Sequence, residues 1–147
     1  MIAPDASSRI VLFQVKEPKT KLHHLAATAR SHFEKKEHFL IVVEDDKSLE
    51  FVDELLWKFP PTSFLPHAIA AEETDELIAI TKVKKNLNHA RYAFNLCATP
   101  LLIEGPFRII YDFEDLSSPG KQQLSALRYS AYKNQKLLIE ARSSPTT

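Results

Sequence analysis

The sequence predicts a single α/β domain with three layers, α/β/α, around a largely parallel sheet. Two observations carry this. Segments rich in β-formers alternate with helical ones at spacings that suit crossover connections. One segment, Phe39 to Val43, is apolar at every position, as expected of a strand covered on both faces. A chain of 147 residues with 44% hydrophobic side chains is enough for one core of that kind.

Ile10 to Lys16 is the first strand, after a small, polar start. Lys19 to Lys36 follows as a helix, with Leu22, Leu25, Ala26, Ala29 and Phe33 on one side and charge opposite. After the Phe39–Val43 strand, Asp45 or Asp46 caps a second helix whose apolar residues are Leu49, Val52, Leu55, Leu56 and Phe59. Pro60 and Pro61 end it, and a stiff loop carrying Phe64 runs on to Pro66. Leu77 to Val83, Tyr92 to Leu96 and Phe107 to Phe113 read as further strands. A last helix starts near Ser118 or Pro119 and runs to about Ala141. The ends, residues 1–8 and 142–147, are expected to be loose, flanking one domain over 1–147.

Composition removes several functions. Nineteen basic residues balance nineteen acidic ones, which argues against an autonomous nucleic-acid binder. The two glycines, Gly105 and Gly120, are far apart, so no glycine-rich loop can cradle phosphates. A single cysteine, Cys97, excludes an internal disulfide and any multi-thiolate zinc site. Apolar runs are too short to span a bilayer, and the first residues lack the features of a secretion signal, so a cytoplasmic location is expected.

Candidate chemistry is sparse. Glu44, Asp45 and Asp46 stand where a strand ends, a place from which acids hold a ribose or magnesium in nucleotide-binding folds. The plainer reading is a helix cap favoured by the dipole. Cys97 could act as a nucleophile if His67 or His89 reached it; a lone cysteine after a strand is ordinarily a small buried apolar residue. The histidines show no ligand motif, so neither metal nor cofactor is expected. A small enzyme or nucleotide binder using Glu44–Asp46 or Cys97 stands as the alternative function.

The most unusual stretch is Leu55-Leu-Trp-Lys-Phe-Pro-Pro-Thr-Ser-Phe-Leu-Pro-His67. Trp57 falls about 100° off the direction of Leu56, and prolines flank Phe64. These residues leave core and interface equally open. In the last helix, Leu124, Leu127, Ala131 and Leu138 share one side and are expected to face the core. Arg128, Tyr129, Tyr132, Lys133 and Lys136 spread over an adjoining face. From Lys121 to Arg142 there are five basic residues against Glu140, an excess of four. Such a face suits an acidic peptide with an apolar end, and equally a solvated surface.

His38-Phe-Leu-Ile-Val-Val-Glu-Asp-Asp, then Val52-Asp-Glu-Leu-Leu-Trp57, then Ser63-Phe-Leu-Pro-His67 together resemble the chi subunit of bacterial DNA polymerase III holoenzyme. The likeness is dense over Phe39 to Ala68 and weaker beyond. It implies a Rossmann-like shape without a nucleotide-binding glycine loop, and a non-catalytic adaptor without cofactors. The expected partners are the psi subunit of the clamp loader and the acidic C-terminal tail of single-stranded DNA-binding protein (SSB), with a helicase as a further possible partner. Nucleic acid would be met only indirectly, and a membrane not at all. Trp57, Phe64, Pro66 and His67 match the surface that contacts psi or a helicase. Tyr129 matches the tyrosine of the tail site, but the two cations beside it in the family correspond here to Ala126 and Ser130. Arg128, Lys133 and Lys136 are therefore expected to supply the charge.

Overall fold

The computed structural model describes residues 8–58 and 65–143. Its elements run β1 (Arg9–Val15), α1 (Pro18–Glu34), β2 (Phe39–Val42), α2 (Asp46–Lys58), β3 (Ala68–Ile69) and β4 (Ile78–Thr81). They continue with β5 (Tyr92–Asn95), β6 (Ile109–Asp115), α3 (Pro119–Asn134) and β7 (Leu138–Ser143). The strands form one sheet in the order β3-β4-β2-β5-β6-β1-β7, and every pairing is parallel.

Period-two alternation sorts the side chains into two cores. Val11, Phe13, Phe39, Ile41, Phe94 and Tyr111 point to the face covered by α1 and α2, where Leu25, Ala29, Val52 and Leu56 meet them. Ile10, Leu12, Leu40, Val42, Ala79 and Ala93 point to the opposite face. There Tyr132 of α3 and the irregular chain bearing Leu87, Leu101 and Phe107 cover them. Most of the aromatic side chains lie under the two helices, while leucines, alanines and isoleucines dominate under α3 and the loops. The three-layer α/β/α arrangement holds, with connecting chain completing the third layer.

Two expectations about the last segment are corrected. The helix stops at Asn134, and Leu138 to Ser143 form an edge strand beside β1. The stop is a Schellman turn: Lys136 N–H donates to Lys133 O at 2.9 Å and Leu137 N–H to Tyr132 O at 3.3 Å, with Lys136 at φ 60°. The helix face is also reversed. Ser125, Arg128 and Tyr132 are buried, whereas Leu124 is 41% and Leu127 61% exposed, and Leu138 stands exposed on β7. Of the ends expected to be loose, residues 1–7 and 144–147 lie outside the described residues. Ser8 is buried and its hydroxyl donates to Phe107 O, and Arg142 and Ser143 extend β7. Short β3 carries no signal in the sequence, being a two-residue edge strand.

Candidate partner-binding surfaces

Trp57 occupies the last turn of α2, one turn after Asp53. The chain meets this turn again at Leu65, whose N–H donates to Leu56 O at 2.8 Å. That contact brings His67 under Trp57, with ring centroids 4.3 Å apart. The His67 side chain is fully covered and held at both nitrogens. Nδ1 lies 2.6 Å from Leu65 O, and Nε2 lies 2.7 Å from Asp53 Oδ1. A fixed imidazole thus props an indole that is 43% exposed. Pro66, between Leu65 and His67, is exposed, as is Ile69 on β3. Of the four residues expected here, Trp57, Pro66 and His67 come together, with His67 as the support rather than the contact. Phe64 lies outside the described residues, as does Phe59.

On α3, Tyr129 is 43% exposed and Lys133 and Lys136 are exposed. Arg128 is not on that surface, which corrects its expected role. Its Nε lies 3.2 Å from Asp112 Oδ2, and its Nη2 donates to Phe113 O at 2.9 Å. Asp112 also accepts from Tyr132 Oη at 2.6 Å and from Asn95 Nδ2 at 3.0 Å. Burial raises the Asp112 carboxyl above the usual carboxylate range, while the Arg128 guanidinium and the donors around it pull the other way. Tyr132, nearly inaccessible and beside that carboxyl, titrates well above an ordinary tyrosine. Sequence periodicity missed this network, although Asp112 in the apolar run Ile-Ile-Tyr-Asp-Phe was the signal for it. A carboxylate in a covered strand needs donors from whatever packs on it.

The residues named for the alternative chemistry have structural partners. Glu44 Oε1 accepts from Ala98 N–H at 3.2 Å. Asp45 caps α2, its Oδ1 2.9 Å from Ser48 N, and Asp46 pairs with Lys82. Cys97 is buried; that burial pushes its thiol up to about 11, so it is not a thiolate near neutral pH. Among the described residues, no group of three His, Cys, Asp or Glu side chains could hold a metal ion. No helix among them is long and apolar enough to cross a membrane.

The arrangement falls in the class of parallel α/β/α domains that keep the nucleotide-fold frame without the glycine loop through which such folds bind phosphate. Within that class the sequence settles on one family. The family model described as DNA polymerase III chi subunit, HolC, matches residues 9–140, and the chain belongs to that family. It is thereby a replication protein of the DNA polymerase III complex. No curated protein matches the chain in a sequence search.

Proposed function

We propose that the chain is a non-catalytic, cytoplasmic adaptor of the bacterial replicase, joining the psi subunit of the clamp loader to the acidic C-terminal tail of SSB. The observation that carries this reading is Trp57, a large aromatic left half-exposed yet fixed from beneath by His67. An aromatic buries ~150–250 Å² on contact and loses little side-chain entropy if it is already held. Trp57, Phe64 and Pro66 constitute the psi-facing surface in this proposal, with His67 holding Trp57 from beneath. Tyr129, Lys133 and Lys136 meet the tail, without Arg128. The mechanism is tethering: two modest contacts raise the effective concentration of replicase and template strand for each other.

The test is affinity purification of the chain from a nuclease-treated lysate of its own bacterium. Wild type is expected to recover clamp-loader subunits and SSB. Trp57→Ala is expected to lose the former and keep the latter. Recovery of neither at low salt overturns the adaptor reading. Lys133→Glu combined with Lys136→Glu, leaving the tail affinity unchanged, removes those residues from the tail site.

A further inference from the structure

A crevice of about 540 Å³ opens at the carboxyl ends of the strands, between the first turns of α1 and α2 on one side and of α3 on the other. It belongs to neither surface described above. In open parallel sheets, this is where ligands bind, since chain leaving neighbouring strands passes to opposite faces. Here β6 feeds α3 while adjacent β1 feeds α1, and the two helices cover different faces.

The walls are apolar: Leu22 from α1, Phe51 from α2 and Leu124 from α3. Phe51 is 56% and Leu124 41% exposed, an unusual condition for large apolar side chains converging on one cleft. The charges do not cancel. Lys21 is paired with Asp115 at 3.0 Å and Arg128 with Asp112. Lys47 and Lys121, from opposite walls, are exposed and form no ion pair among the described residues. Two lysines over an apolar cleft are complementary to an anion with an apolar body.

The form of the anion follows from the helix ends. A phosphate is held chiefly by several free backbone N–H groups. In α2 the Ser48 N–H is already bound by Asp45, and in α3 the Lys121 N–H by Ser118 Oγ at 3.3 Å; α1 has no side-chain cap, but Pro18 brings no N–H and the Thr20 N–H turns to Glu17 O at 3.2 Å. A singly charged head that lysine side chains can hold by themselves fits better. We propose that this crevice binds a small amphiphilic carboxylate, its apolar body between Phe51 and Leu124 and its carboxylate between Lys47 and Lys121. This site is separate from the adaptor role, which stands or falls by its own test.

The experiment titrates the purified chain with octanoate, octanol and octyl phosphate, following both melting temperature and calorimetric heat. Octanoate is expected to bind and raise the melting temperature, octanol to bind at least tenfold more weakly. Lys47→Glu with Lys121→Glu should weaken octanoate at least tenfold without lowering the unliganded melting temperature, since both side chains are solvent-exposed and an acid in a helix's first turn is favoured by the dipole. Phe51→Ser should weaken both octanoate and octanol. Equal binding of octanol, tighter binding of octyl phosphate, or octanoate binding that survives the double charge reversal overturns the proposal. So does an acidic peptide that binds through Lys47 and Lys121 where octanoate does not.

Discussion

Trp57 and Arg128 exchange the roles that their chemistry suggests, and each does so because of one neighbour. The indole is kept at the surface because His67 fills the space beneath it and is itself tied to Asp53. As the only tryptophan, it makes intrinsic fluorescence a report on this surface alone. Partner binding should shift its emission to the blue, and an emission that stays unchanged on saturation would move the contact elsewhere. Trp57→Ala should cost about 1 kcal/mol or less in urea denaturation, since the ring is nearly half solvated already. The guanidinium of Arg128 is drawn inward by Asp112, and its removal leaves a buried carboxylate without its counter-charge. Arg128→Ala should therefore destabilise by about 3–5 kcal/mol, read from the urea midpoint. A loss below about 1 kcal/mol would mean that the pair is solvated in solution.

At the level of elements, the end of α3 explains why a strand was read as helix. Helix C-termini are recognised by glycine in the left-handed position, and here that position is Lys136. α1 ends the same way with Lys36, where Glu37 N–H donates to His32 O at 2.9 Å. A lysine in this conformation costs about 1–2 kcal/mol, partly offset by the roughly 0.5–1 kcal/mol that glycine loses in chain entropy. Lys136→Gly should accordingly stabilise the fold by about 0.5–1 kcal/mol, a small upward shift in denaturation midpoint. A fall would show that the lysine side chain makes a stabilising contact. A helix carried through to Ala141 aligns Leu138 with Leu124 and Leu127 on an apolar stripe, which points the expected core face to the wrong side. The buried face is the polar one because its polar groups have partners on β6.

Over the whole molecule, two histidines on the α1 side bear on the pH dependence of stability: His24, stacked on Phe13 and lowered by burial, and His32. His32 is buried, with Nε2 2.8 Å from Tyr111 Oη and Nδ1 2.9 Å from Glu37. Burial lowers its pKa below the ordinary 6.5, with Glu37 opposing. The unfolded chain thus takes up a proton at His32 before the folded one does. That contribution is complete above about pH 6.5 and is lost as the pH falls through it. The melting temperature should drop between pH 7 and 5, and His32→Asn should flatten that slope. Asp115, which burial pushes up but its hydrogen bonds to Ser117 and Lys21 hold down on balance, adds a further loss nearer the usual carboxylate range. A slope unchanged in His32→Asn would assign the dependence to other groups.

The sequence by itself determined the class of fold, most of the elements and the family. Hydrophobic periodicity, the helix starts near Asp45 or Asp46 and near Ser118 or Pro119, and the motif from Phe39 to His67 are local patterns, and local patterns are written along the chain. It also left Trp57 undecided between core and surface, because one residue off an apolar stripe can turn either way. Only the tertiary structure decided that His67 props the indole, that Arg128 and Tyr132 serve Asp112, and that Leu124 faces a crevice. The first depends on the chain turning back onto the end of α2, and the others on residues far apart in sequence meeting at the sheet: the Asp112 carboxylate is shared by Asn95 and Tyr132. Helical spacing shows which side chains share a face, but which face turns inward is set by the partners waiting on the sheet.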